Sequence, residues 1–465
     1  MTSRVSREQL VARMRPSERR IALRAAKALD RGDDDAAIEP FERLRDKPLA
    51  TAAARHFALY GLAIIAHHAC AHEWAVQAME EVVAREPGLD IAWYNLGTFR
   101  QHLADYAGAE AAFRRAADLA PAFAQVRTNP GNALLGQGRH AEAIAVFEEA
   151  LRHKTGDKEA LYNRAHALVA TGRWLEGWAC YEARWALPGF FEHNRYHHPS
   201  EAYELHELHG KRVIVMEEQG YGDLLMTLRF DGDLKAMGAT EVTWAVRPEM
   251  VRLVRSAGLQ AVDIEQAGST VHADFNIACM SLMRVTRCIP ARVPKATGYL
   301  HATPHPFDLP GLKVGICWEG SKLHRDDRNR SLPKNAMATL QNFHLGGVSW
   351  IAMCRDGWRP EMADAGLTNG LDGVTDWQDT ADRIAGLDLL ITVDTAVAHL
   401  AGALNVPVWI LLAAVPDMRW GLQSNTTPWY RSARLYRQVV GREWGPVIEL
   451  VGADLQRMTE QRKVA

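Results

Sequence analysis

The chain has 465 residues, too many for one ordinary core, so length alone predicts two to four domains. Its formal net charge of -2 balances cations against carboxylates, which excludes a global field that would draw nucleic acid or a membrane surface; partners must be recognised locally. The six cysteines stand far apart with no C-x-x-C pair, which argues against a zinc or redox dithiol motif.

The arginine-rich start (Arg4, Arg7, Arg13, Arg15, Arg19, Arg20, Arg24) lacks the apolar stretch of a secretory signal, and Glu8 and Glu18 weaken a reading as an organelle-targeting peptide. No segment approaches the roughly 20 apolar residues needed to cross a bilayer. We therefore expect a cytoplasmic protein.

Across its first part the sequence repeats with a period of 34 residues. Trp93, Leu96, Gly97, Ala109, Phe113, Ala116 and Pro121 take the large, small and helix-ending positions. Gly131, Ala143, Phe147 and Ala150 follow one period later, and Ala75 and Pro87 precede by one. A weaker unit contains Ala37 and Phe41, and a final one contains Leu161, Tyr162 and Tyr181. This pattern resembles the tetratricopeptide repeat, with about five units expected across 1–190. Each helical hairpin needs its neighbours to bury its apolar face, so the expectation is a superhelix whose concave surface holds a protein or peptide. Asn95, Asn132 and Asn163 recur at one phase of the first helices, as donors for a bound backbone or as solvated polar positions. Pro130 falls inside a predicted helix, where it removes a hydrogen bond and is expected to kink it.

A connector over 191–210 leads to a different pattern, in which short β-branched runs alternate with helices. Strands are expected over 212–217 and 241–246, then 312–318, 348–353, 389–393 and 406–412. The fold class is therefore α followed by α/β: a helical superhelix, then two doubly wound lobes, the first at 211–308 and the second at 309–440. The remaining segment, 441–465, reads as a helix returning to the first lobe. In such sheets ligands bind beyond the carboxyl ends of the strands, so residues immediately after strands carry the information.

Three stretches follow strands. After the first, Glu217-Glu218-Gln219-Gly220-Tyr221-Gly222-Asp223 pairs carboxylates with two glycines that suit a turn of positive φ or a close approach. Asp223 there is either a helix cap or a carboxylate facing the cleft; Glu217 and Glu218 are reserves. After the third, Trp318-Glu319-Gly320-Ser321-Lys322 and the cations up to Arg330 offer Ser321, Lys322 or Arg330 to neutralise a diphosphate, or form a solvated loop. The sharpest stretch is Val393-Asp394-Thr395-Ala396-Val397-Ala398-His399. Asp394 is expected to cap a helix whose free N–H groups suit a phosphate, with Thr395 and His399 four residues apart on one face. The positive helix end favours a neutral imidazole.

This last block is similar to the donor-binding motif of glycosyltransferase family 9, the ADP-heptose:lipopolysaccharide heptosyltransferases and relatives. The likeness covers roughly Lys211 to the end. It implies a GT-B fold, with Asp394, Thr395, Ala396 and His399 around the diphosphate and ribose of a nucleotide-sugar, and Asp223 as general base. The family usually has Gly where this sequence has Ala396, which leaves less space near the phosphate. The resemblance thus implies metal-independent, inverting transfer of a sugar to an acceptor hydroxyl, on a protein held by the repeats, with no cofactor beyond the donor.

An inactive interaction scaffold is the alternative. The partial G-x-G of Gly220 and Gly222 also raises an NAD(P)-dependent oxidoreductase, but the third glycine is absent and the second strand ends at Arg247, not an acidic residue. Asp231-Gly232-Asp233 matches a D-x-D pattern but reads as a solvated helix face. The pairs His67-His68 and His197-His198 lack the i, i+4 spacing that puts two imidazoles on one helical face, so no metal site is expected. Asp379 or Thr380 is expected to cap a helix near Ala381, and Trp377 to pack or to border a base.

Overall fold

The computed structural model describes residues 6–121, 125–188, 190, 208–294, 297–322, 327–333, 347–355, 357–364, 366–439 and 443–464. Most of the connector, including His197 and His198, and residues 323–326 lie outside them. The chain divides into two compact units, 1–167 and 168–465.

The first unit is a series of antiparallel helices. Ala52–His68 and His72–Arg85 form one hairpin, Asp90–His102 and Tyr106–Leu119 the next, and Gln125–Gly136 and His140–His153 a third. The periodic small and large residues explain the packing. A methyl on Gly97 would lie 2.6 Å from the Phe113 ring, and one on Gly131 would lie 2.5 Å from Phe147, so each glycine admits the aromatic residue sixteen positions on. Phe113 also packs with Ala109 and with Ala133 of the following hairpin, which links adjacent repeats. Asp105 starts its helix by accepting the Gly108 N–H at 2.9 Å. The helix Gln125–Gly136 continues through Pro130.

The second unit opens with the helix Trp174–Tyr181, whose aromatic residues face inward. Trp174 stacks on Trp429, with ring centroids 4.9 Å apart and planes 16° from parallel.

Two parallel sheets follow. The first has β1 (Arg212–Met216), β2 (Glu241–Val246), β3 (Gln260–Asp263) and β4 (Phe275–Ala278) in the order β3-β2-β1-β4. The second has β5 (Leu312–Cys317), β6 (Val348–Ala352), β7 (Leu367–Asn369), β8 (Leu389–Val393), β9 (Val408–Leu412) and β10 (Ala433–Arg437), in the order β10-β9-β8-β5-β6-β7. Every recorded pairing is parallel. Both sheets reverse direction beside their first strand, so their switch points lie between β1 and β4 and between β5 and β8. The central strands are apolar and buried, as strands covered on both faces must be. β3, β4, β7 and β10 were not expected from the sequence.

The helix Gly445–Val464 makes contacts to the second lobe. Asp454 accepts the Tyr436 hydroxyl at 2.8 Å, and Arg462 pairs with Asp388 at 3.2 Å. Among the described residues, no helix is long and apolar enough to cross a membrane.

Candidate active site between two switch points

The chain leaves β1 through Glu217 and Glu218 and turns at Gln219, which itself takes the positive φ of 61°. The sequence reading gave that conformation to the glycines; Gly220 has φ -96° and is the N-cap of the helix Tyr221–Thr227. That helix begins earlier than expected, which puts Asp223 in its first turn. Asp223 Oδ2 accepts the Gly220 N–H at 3.0 Å. Its other oxygen lies 2.7 Å from Arg419 Nη2, an ion-pair contact between the lobes.

Gly222 answers a packing demand. A methyl at this position would lie 2.8 Å from His399 Cδ2 and 3.6 Å from the Ala396 Cα. The opening helix of the first lobe therefore meets the helix Ala396–Ala403 of the second with only the His399 ring lying against Gly222. Around this contact, Arg229 donates to the Trp429 carbonyl at 2.7 Å and to the Tyr299 hydroxyl at 3.1 Å. Tyr221 meets Trp377 with centroids 4.9 Å apart, and Arg252 pairs with Asp376 at 2.7 Å.

The two glutamates before the turn are committed to structure. Glu217 accepts the Arg247 backbone N–H at 2.8 Å and pairs with its guanidinium; burial still raises its pKa against that cation. Glu218 receives Arg184 through both oxygens, at 3.0 and 2.8 Å, and accepts the Met280 N–H at 2.9 Å. Arg184 has no solvent exposure, so this is a fully desolvated pair.

Thr395, not Asp394, is the N-cap of the helix Ala396–Ala403, and its side chain makes no capping hydrogen bond. Its hydroxyl lies 3.4 Å from that of Thr392. Asp394 is half-buried at the carboxyl end of β8. Burial raises its pKa to about 6, the nearby Asp417 charge adds to the rise, and Arg419 and Arg330 oppose it. His399 is 2% exposed; its Nδ1 lies 2.8 Å from the Tyr430 hydroxyl and its ring stacks on Trp420. Burial, then the Arg419 charge, push its pKa well below the ordinary value, so the imidazole is neutral. It is built into the lobe contact.

Among the described residues of its loop, Arg330 is the cation that reaches this corner. It lies across Gly320, where a methyl would clash with its guanidinium, and donates to the Asp394 carbonyl at 3.0 Å. Ser321 contributes its carbonyl to Arg330 at 3.3 Å, and both Ser321 and Lys322 are exposed.

Sequence reasoning missed Arg419 and Asp417. Arg419 donates to Asp417 at 2.7 Å; burial alone would lower its pKa, but Asp223, Asp417 and Asp394 outweigh this and raise it well above normal. The segment follows β9 directly, and the rule that ligands collect beyond strand ends would have singled it out.

Other expectations settle as structure. Asp231 is buried, bonded to the Trp244 indole at 3.1 Å and to Lys235 at 2.8 Å, so it is not part of a solvated face. Asp376 caps a helix that starts at Trp377, ahead of the expected start, by accepting the Asp379 N–H at 2.9 Å. Asn95 donates to Tyr60 at 3.3 Å.

Helical repeats followed by two parallel-sheet lobes, whose switch points face each other across a charged corner, define the architecture of a repeat-linked GT-B protein. Comparison with known proteins makes this specific. Residues 361–440 match the model of glycosyltransferase family 9 (heptosyltransferase), and residues 91–123 and 134–176 match tetratricopeptide-repeat models. The chain thus combines tetratricopeptide repeats with a glycosyltransferase family 9 domain, which supports glycosyl transfer as its chemistry. It is 27% identical over 420 residues to Protein FlbA of Caulobacter vibrioides, covering 82% of this chain and 70% of that protein. Similar solved structures include MamA MSR-1, with 19% identity, 36% of this chain and 94% of that chain covered, and a TM-score of 0.32. MamA from Desulfovibrio magneticus RS-1 has 17% identity, with 37% and 92% covered and a TM-score of 0.31.

Proposed function

We propose that this protein transfers a sugar from a nucleotide-sugar to an acceptor hydroxyl on a protein held by the repeats. The observation that carries this reading is the corner where Asp223 of the first lobe meets Arg419, Asp394 and Arg330 of the second. A diphosphate there is offered two guanidinium groups and the free N–H groups of the helix Ala396–Ala403. As Arg419 turns to the diphosphate, Asp223 is released from its ion pair and takes the proton of the acceptor hydroxyl. The oxygen attacks the anomeric carbon, the bond to the diphosphate breaks, and its electron pair leaves with the nucleoside diphosphate. Attack opposite the leaving group inverts the anomeric configuration, and the two arginines supply the neutralising charge without requiring a metal.

Calorimetry with ADP-, UDP-, GDP- and CMP-sugars tests the donor site, followed by transfer assays on Asp394→Ala and His399→Ala. Selective binding of one nucleotide, with transfer lost in both variants, fits the reading; unchanged turnover in both removes the donor assignment. The scaffold alternative draws on one observation, that both Asp223 oxygens are already engaged. It requires that no nucleotide be preferred.

A further inference from the structure

Within the first unit, three imidazoles from three successive helices converge. His67 lies in the last turn of Ala52–His68, His72 begins His72–Arg85, and His102 ends Asp90–His102. One ring nitrogen from each lies within 4.8 Å of the others, and His67 Nδ1 is 3.0 Å from His72 Nδ1. The tight reversal that brings His67 to His72 passes through Cys70 at φ 60°. The His67 ring is held by stacking on Phe99, centroids 4.4 Å apart. His68 is turned onto Asp34, 2.8 Å away, and takes no part.

We propose that His67, His72 and His102 form a binding site for a late first-row divalent cation such as zinc, with its remaining coordination open to solvent or an added ligand. Imidazole nitrogen is a preferred ligand for these ions, and a three-histidine set with an open position is a recurrent zinc arrangement. Zinc–nitrogen bonds of about 2.0–2.1 Å in tetrahedral geometry place ligand nitrogens about 3.3 Å apart. The 3.0 Å pair is close to that spacing, and the His102 ring lies against both partners, its centroid 4.5 Å from that of His67 and 4.9 Å from that of His72. The ligands span three helices, a combination that spacing along one helix cannot reveal.

The test titrates the tag-free full chain with Zn²⁺ against a chromogenic chelator, and with Co²⁺ by visible absorption. We expect one equivalent at the cluster, a Co²⁺ spectrum without thiolate charge transfer, and no competition from Mg²⁺. His72→Gln and His102→Gln should each weaken binding by at least the roughly 10–100-fold typical for loss of a group behind a ligand. Unchanged affinity in His102→Gln, whose exposed position protects the fold, would overturn the site. So would failure of the wild-type chain to bind Zn²⁺ at micromolar concentration, or a Co²⁺ spectrum dominated by thiolate.

Discussion

Asp223 and Arg419 reach each other from different lobes, with carboxylate oxygen and guanidinium nitrogen 2.7 Å apart. The pair joins the end of the first lobe's leading strand to the segment after β9, so the proposed base and a proposed phosphate ligand restrain each other.

Separating their roles is the first prediction. Asp223→Asn should lower kcat by about 10²–10⁴-fold while leaving donor affinity nearly unchanged, because general-base catalysis is worth that much and the donor contacts remain. Arg419→Met should weaken donor binding as well. Steady-state kinetics with donor titration reads both; a fall in donor affinity alone for Asp223→Asn would contradict the assignment.

Gly222→Ala should force the lobes apart. Its methyl would meet His399 at 2.8 Å, and overpacking of this kind costs about 1–3 kcal/mol. Gly220→Ala, whose methyl would first meet Asp223 Oδ2 at 3.2 Å, should be milder. Thermal unfolding of the two variants side by side checks the order.

Arg184→Met should be among the most damaging single changes in the second unit. It leaves Glu218 buried without its cation, a loss of about 3–5 kcal/mol. The double variant Arg184→Met with Glu218→Gln should recover part of that loss, and denaturant melts measure it.

Asp394 makes stability depend on pH in a definite direction. Its folded pKa of about 6 lies above the ordinary 3.8, so the folded state holds the proton more tightly. Its contribution is full below about pH 4 and disappears as the pH rises through 6. Asp394→Asn should therefore gain stability relative to wild type across that window, seen as a widening difference in Tm.

The sequence made the architecture legible where patterns were dense. The 34-residue period places Gly97 against Phe113 and Gly131 against Phe147, and a contact repeated in register is hard to mistake. β1, β2, β5, β6, β8 and β9 are apolar runs; β3, β4 and β7 are three or four residues long, and β10 carries arginine at both Arg434 and Arg437. At the site, residues directly after strands could be singled out, and Arg330 and Asp394 do meet. What stayed hidden depends on tertiary contact. Nothing in the local sequence says that Arg184 neutralises Glu218 or that His399 is sealed by Gly222, because each pairing joins distant segments.

The inward aromatic face of Trp174–Tyr181 sets where the chain can be cut. An excised transferase beginning at the connector would lack the indole that covers Trp429 and would strand Glu218 without Arg184. Trimming must stop ahead of Trp174, so a fragment that keeps these contacts carries the last stretch of the repeats with it.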